Sequence, residues 1–246
     1  MIFYILLLFT IIFSSNLLAQ NSTVKDFSQA KRILNREFNN GHTIYCGCNY
    51  FGKTIDIDSC GYHPKNAKTK KGKENKRAYS LEWEHVVPAE AFGSSFRSWR
   101  NPEEFTECRK GKKVMTGRQC AQKVDKLFNF MEADLYNLHP EIGELNGLRS
   151  NYSMAEIPGE EREFGSCDVE IEDRKFEPRE SVKGDVARIY LYMDESYPGR
   201  GIISEKNKKL FESWSQKDPI SQEEVKRAKL IMSIQGNCNR FVLDCK

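Results

Sequence analysis

Eight cysteines constrain this chain more than any other feature: Cys46, Cys48, Cys60, Cys108, Cys120, Cys167, Cys238 and Cys245. All of them follow an apolar leader. Residues 2–13 are almost wholly apolar, Ser14-Ser15-Asn16 interrupts, and Leu17-Leu18-Ala19 ends on a small residue. This is the pattern of a signal peptide cleaved after Ala19, although no Lys or Arg precedes the run. The rival reading, a membrane anchor, asks for a span of about 20 apolar residues, longer than this run. An even cysteine count behind a leader predicts four disulfides in an oxidising compartment, a periplasm or the medium. Zinc is the weaker reading, since there is no paired Cys-x-x-Cys and the four histidines are scattered. Sequence does not fix connectivity. Proximity suggests Cys48–Cys60, Cys108–Cys120 and Cys238–Cys245, which leaves Cys46–Cys167 as the long closure.

With residues 1–19 set aside as leader, residues 20–246 read as one domain, without internal repeat or linker. The chain is 39% hydrophobic with a net charge of +3. So mild an excess permits an anionic partner without requiring one, and the placement of charge matters more than its sum. Residues 65–77 hold seven Lys or Arg and one Glu, with no large apolar side chain. This predicts a mobile basic loop. A second basic stretch, residues 92–120, reads as irregular and carries Arg97, Arg100, Arg109 and Arg118. Residues 156–180 hold ten acids against four bases and should face away from a polyanion.

Helical periodicity covers residues 23–38, through Phe27, Ala30, Ile33, Leu34 and Phe38. It covers residues 121–138, through Val124, Leu127, Phe128, Met131, Leu135 and Leu138, with Pro140 as the stop and Asn137 at the flank of the stripe. Three further helices are predicted near 181–193, 204–215 and 221–236, the last opened by the capping box Ser221-x-x-Glu224. Residues 79–87 alternate as a strand, and Pro88 ends its pairing.

That strand holds the chemistry. Glu82-Trp83-Glu84-His85 places two carboxylates and an imidazole within four residues. A metal-assisted hydrolase needs an oxygen ligand for a hard cation and, beside it, a base for water. Taken alone, His85 is as readily a structural histidine. In an extended strand Glu84 and His85 also point to opposite faces, so they share a site only if the chain twists at Val86-Val87-Pro88. An amide oxygen such as that of Asn137 suits Mg²⁺, which keeps several waters and needs few protein ligands.

These residues belong to a longer pattern. Glu82-Trp83-Glu84-His85-Val86-Val87-Pro88-Ala89, Tyr136-Asn137-Leu138-His139-Pro140-Glu141-Ile142-Gly143-Glu144-Leu145-Asn146-Gly147 and Arg149-Ser150-Asn151-Tyr152 closely resemble bacterial endonuclease I, the periplasmic and secreted non-specific nucleases. Tyr45-Cys46-Gly47-Cys48, Ser59-Cys60-Gly61-Tyr62, Gly117-Arg118-Gln119-Cys120, the run from Ala187 to Met193 and Gln235-Gly236-Asn237 extend the match over nearly the whole chain after the leader. Leu148 departs from it, standing where the family usually has Asp.

The resemblance implies a disulfide-stabilised α+β fold around a ββα-metal (His-Me) finger, with helices about it. It implies His85 as general base, Arg118 on the scissile phosphate, Glu84 and Asn137 as ligands of one Mg²⁺, and Glu82 in support. Mn²⁺ and Ca²⁺ are compatible with the same oxygen ligands. The substrate would be DNA, and RNA as well, cut to 5′-phosphate ends. The chain would act as a monomer, free of the membrane once the leader is removed. Phosphate contacts are expected from residues 65–77 and 97–126. His139 reads as a surface or loop residue. Two alternatives stay open: a ribonuclease on the same scaffold, and a secreted nucleic-acid-binding protein without catalysis.

Overall fold

A computed structural model describes residues 20–159 and 161–245. The expected leader, residues 1–19, lies outside them. The first helix, α1 (Phe27–Glu37), starts where the Asp26 carboxylate accepts the Gln29 N–H at 2.8 Å. It buries Ala30 and Leu34. Three short antiparallel strands follow: β1 (Asn40–His42), β2 (Asn49–Phe51) and β3 (Thr54–Asp56). They turn Tyr50 and Ile55 inward and leave the other face to solvent.

The next strand, β4 (Leu81–His85), pairs antiparallel with β7 (Leu138–Ile142) in the register Leu81↔Ile142 to His85↔Leu138. Between them run α2 (Ala89–Gly93), α3 (Arg97–Arg100), the hairpin β5 (Arg109–Lys110) and β6 (Lys113–Val114), α4 (Gly117–Val124) and α5 (Lys126–Glu132). The helix α6 (Gly143–Arg149) follows β7 directly. The strands β4 and β7 with α6 thus form a strand–strand–helix unit within an α+β fold.

The rest of the chain backs this unit. The strands β8 (Ser153–Met154), β9 (Glu170–Glu172) and β10 (Lys175–Glu177) form a small mixed sheet. Three helices close the fold: α7 (Lys183–Ser196), α8 (Glu205–Lys217) and α9 (Gln222–Gln235). The capping box of Ser221 and Glu224 is formed, and α9 ends on Gly236 at φ +84°, a left-handed turn that glycine takes without a Cβ clash. One contiguous apolar core includes Leu34, Val86, Phe128, Leu138, Val186 and Phe211.

Two expectations are corrected. Residues 92–120 are not irregular, because they contain the end of α2, all of α3, the β5–β6 hairpin and the start of α4. Residues 121–138 are not one helix. The Asp125 N–H closes α4 on the Ala121 carbonyl, and α5 stops at Glu132. Beyond it Asp134 turns inward. Its carboxylate accepts the hydroxyls of Tyr192 at 2.8 Å and Tyr197 at 2.7 Å, and it caps the short 3₁₀ turn Leu135–Asn137. Leu135 and Leu138 are buried as predicted, but on a turn and a strand whose spacing imitates a helical stripe. Pro140 then lies inside β7 rather than ending a helix. Its carbonyl accepts from the Ile44 N–H at 2.9 Å.

The four disulfides join Cys46–Cys167, Cys48–Cys60, Cys108–Cys120 and Cys238–Cys245. The first closes 121 residues and ties the β1–β2 segment to the acidic half of the chain. The last closes only seven. Loop-closure entropy makes the long bond the more stabilising, by about 2 kcal/mol. Replacing Cys46 and Cys167 together by Ser should therefore lower the unfolding free energy more than replacing Cys238 and Cys245. Urea titrations of the two double variants check the order.

Candidate active site

The ββα unit floors a cleft of about 740 Å³. Its walls come from α1 (Phe27, Lys31, Asn35), the turn after β2 (Lys53), Arg77, the whole of β4, Arg118 and α6. Glu82, Glu84 and His85 all line it, so the end of β4 does bring neighbouring residues to one site.

His85 is held in one protonation form by geometry. Its Nε2 lies 2.8 Å from the Glu132 carbonyl oxygen. A carbonyl only accepts, so Nε2 carries the proton and Nδ1 keeps the lone pair. The ring packs on Phe27 with centroids 4.7 Å apart. Burial, reinforced by the positive charge of Arg118, pushes the imidazole down to about 3. It is therefore held neutral, with Nδ1 as an acceptor.

Glu132 has a second task, which the sequence did not reveal. Its side chain is buried and accepts from Arg118 Nε at 2.6 Å and from Gln122 Nε2 at 2.9 Å. One residue at the end of α5 therefore orients the imidazole through its carbonyl and the guanidinium through its carboxylate. Arg118, on α4 two residues before the Cys108–Cys120 bond, stays 42% exposed. Its Nη groups have no protein acceptor among the described residues.

Glu84 sits almost fully buried at the base of the cleft. The Tyr45 hydroxyl donates to its Oε1 at 3.1 Å, and Arg149 Nη1 lies 3.1 Å from the same oxygen. Its Oε2 has no hydrogen-bond partner among the described residues. Burial raises the carboxyl to about 7, against the pull of Arg149 and of the Tyr45 hydroxyl. Arg149, itself buried, also donates to the carbonyls of His85 at 3.1 Å and Val86 at 2.6 Å. These bonds fix the chain as it leaves β4.

The structure does not bring Asn137, expected as a ligand with Glu84, to the cleft. Asn137 is fully buried at the end of the 3₁₀ turn. Its Oδ1 accepts the Val87 N–H at 2.7 Å and its Nδ2 donates to the Val87 carbonyl at 2.9 Å. Both ends of the amide are engaged in holding the β4 exit against the start of β7. Three other amides line the cleft: Asn35, whose Oδ1 accepts from Trp83, Asn151, which donates to Glu90, and Asn146, on α6 directly after β7. Asn146 Nδ2 donates to Glu82 Oε2 at 3.0 Å. A carboxylate only accepts, so Glu82 identifies the nitrogen end and leaves Oδ1 as the free acceptor. The carboxylate of Glu84 and the amide oxygen of Asn146 are oxygen donors of the kind that could hold a hard cation. The available signal was Gly143-Glu144-Leu145-Asn146-Gly147. A Cβ at Gly143 would lie 2.8 Å from Glu82 Oε1, and one at Gly147 2.4 Å from Arg77 Nη1. Both glycines let α6 approach the Arg77–Glu82 pair, whose bonds are 2.6 and 2.8 Å. Glu82 thus joins Arg77 on β4's approach to Asn146 on α6.

The basic segments divide differently from expectation. From residues 65–77, Arg77 lines the cleft, whereas Lys65 pairs with Glu163 at 2.7 Å and the loop is anchored by the Asn66 N–H on Glu144. From residues 97–126, Arg118 lines it, while Lys110, Lys113 and Lys123 border a separate concavity. Lys31 and Lys53 complete the cationic wall from segments that the charge pattern did not mark. His139 is no surface residue: it lies half-buried in β7 opposite Glu84, and burial together with the charge of Arg227 lowers its pKa well below the ordinary value.

The two asparagines should separate in a stability measurement. Asn137→Ala strands a buried N–H and a buried carbonyl and should cost about 2–4 kcal/mol. Asn146→Ala, at a partly exposed position, should cost less than about 1 kcal/mol. Chemical denaturation of both variants checks this.

Comparison with known proteins agrees with the geometry. The sequence model of the Endonuclease I family matches residues 23–245. An "Extracellular deoxyribonuclease" of Aeromonas hydrophila is 36% identical over 91% of this chain and 90% of its own length. A "Periplasmic deoxyribonuclease" of the same organism is 38% identical over 81% of this chain and 77% of its own. The "Endonuclease-1" of Buchnera aphidicola subsp. Acyrthosiphon pisum (strain APS) is 36% identical over 94% and 86%. Similarity of this extent means that the chain belongs to the endonuclease I family.

Proposed function

We propose that this chain is an exported, Mg²⁺-dependent endonuclease that hydrolyses phosphodiester bonds of DNA, and of RNA, without sequence preference. Export is supported by the leader pattern, the four disulfides and the printed names of the extracellular and periplasmic relatives. The observation that carries the chemistry is the orientation of His85, with Nε2–H held by a carbonyl and Nδ1 free in a cationic cleft.

Nδ1 takes a proton from water as the oxygen attacks phosphorus in line with the leaving 3′-oxygen, which gives a 5′-phosphate end. The His85 Nε2–H bond to Glu132 strengthens as the ring gains charge. Arg118, braced by Glu132, directs its Nη groups to the phosphate oxygens. Glu84 Oε2 and Asn146 Oδ1 would hold the Mg²⁺. When bound, that ion supplies Lewis-acid stabilisation of the charge developing on phosphate and leaving oxygen. Mn²⁺ and Ca²⁺ fit the same donors. Lys31, Lys53 and Arg77 neutralise flanking phosphates, so binding should weaken steeply with salt.

The deciding experiment incubates duplex DNA and RNA with the oxidised protein, with Mg²⁺ or with EDTA. Cleavage with Mg²⁺ and none with EDTA is expected; intact nucleic acid under both conditions refutes the proposal and favours a binding protein. His85→Ala should lower kcat by at least about a hundredfold with KM little changed, since a positioned base contributes about 10²–10⁴.

The pH profile should be set by Glu84, not by His85. The imidazole is neutral down to about 3, so its titration removes no activity near pH 6. The Glu84 carboxyl, raised to about 7, is protonated below that pH and cannot then ligate a cation. The Mg²⁺ concentration for half-maximal rate should rise about tenfold per pH unit below 7 and level off above it. Mg²⁺ titrations from pH 5.5 to 8.5 measure the slope.

A further inference from the structure

Among the described residues, four large apolar side chains are exposed, and Phe51 is the only aromatic one, with 71% of its surface in solvent. A single exposed apolar residue is ordinary on a protein surface, so exposure by itself implies nothing. The position of Phe51 does. It closes the β2–β3 hairpin opposite Thr54, next to the two-residue turn Gly52-Lys53, with Gly52 at φ +60°. The side chain that follows that turn glycine, Lys53, lines the cleft with His85 and Arg118.

The hairpin is fastened to the strand that carries the reaction. The Leu81 N–H donates to the Lys53 carbonyl at 3.0 Å, and Thr54 bridges Ser80. On its other side the Gly52 N–H donates to the Asn39 carbonyl at 2.8 Å. The ring is therefore presented on a braced turn, not on a free loop. From Leu81 to His85 the strand spans about 13 Å at about 3.3 Å per residue.

We propose that Phe51 is a stacking site for an unpaired nucleobase of a strand that leaves the cleft past Lys53, with Lys53 on the intervening backbone. The inference rests on the nuclease reading above and adds a substrate form to it. In a paired duplex the base faces are covered by their neighbours. A solvent-facing ring beside a cation therefore suits a single or locally opened strand, where every base offers a π face whatever its identity. The site adds affinity for such strands without adding sequence preference.

The test measures kcat and KM on a single-stranded oligodeoxynucleotide and on the duplex of the same sequence, with Mg²⁺, for wild type and for F51A, F51L and F51W. Phe51 makes no ring contact with the core, so the variants should keep the wild-type Tm. F51A should raise KM for the single strand about tenfold, as loss of one base–aromatic stack does. It should leave kcat, and KM for the duplex, within about twofold. F51W should restore the affinity, and F51L, apolar but without a π face, should not. Rescue by Leu, or an equal loss on the duplex, overturns the stacking site. A wild type that cleaves while F51A keeps its KM removes the stacking site alone; a wild type that leaves both substrates intact removes the function and the site together.

Discussion

The antiparallel pairing of β4 with β7 is the constraint on which the site depends. Five residues on each strand are in register, and the chain must leave β4 at His85 in a fixed direction for the imidazole to meet Glu132. Two buried side chains enforce that direction. Asn137 grips both backbone groups of Val87 through its amide, and Arg149 grips the carbonyls of His85 and Val86 through its guanidinium. Neither could be replaced by an apolar residue without leaving buried backbone groups unpaired.

Burial also sets the chemistry. The same desolvation that keeps His85 neutral raises the Glu84 carboxyl, so one environment disfavours the charged form of both groups and reverses their usual order of pKa. Arg149 beside Glu84 and Arg118 beside His85 act on those shifts, and both arginines are themselves positioned by bonds that do not involve substrate. On the proposed reading the exposed cations of the cleft, Lys31 and Lys53, meet the backbone of a polyanion, and the braced arginines serve the reacting centre.

Much of this was legible beforehand. Short separations in an oxidising context made three disulfide pairings the economical choice, and the fourth followed as the remainder. The capping box at Ser221 and Glu224 marked the start of α9 because it is a local hydrogen-bond pattern. The stretch Glu82-Trp83-Glu84-His85 marked the reaction strand because few structural needs place those residues together. The helix assigned to residues 121–138 failed for a reason local periodicity cannot see. Asp134 is drawn into the core by Tyr192 and Tyr197, more than fifty residues later, and ends the helix there. With the helix gone, Asn137 lost the position from which it was expected to face the cleft.

The amino-acid sequence by itself determined the kinship, the cysteine framework, the strand that bears His85 and Glu84, and the arginine beside Cys120. These are properties of residues close together in the chain or of motifs long enough to be specific. Only the tertiary structure decided that Asn146 lines the cleft and Asn137 does not, which nitrogen of His85 carries the proton, and that Glu132 orients both His85 and Arg118. Each of those depends on which donor meets which acceptor across separations of ten to sixty residues. Hydrogen bonding is directional, so a shift of one residue in a strand or helix end exchanges a ligand for a structural clamp.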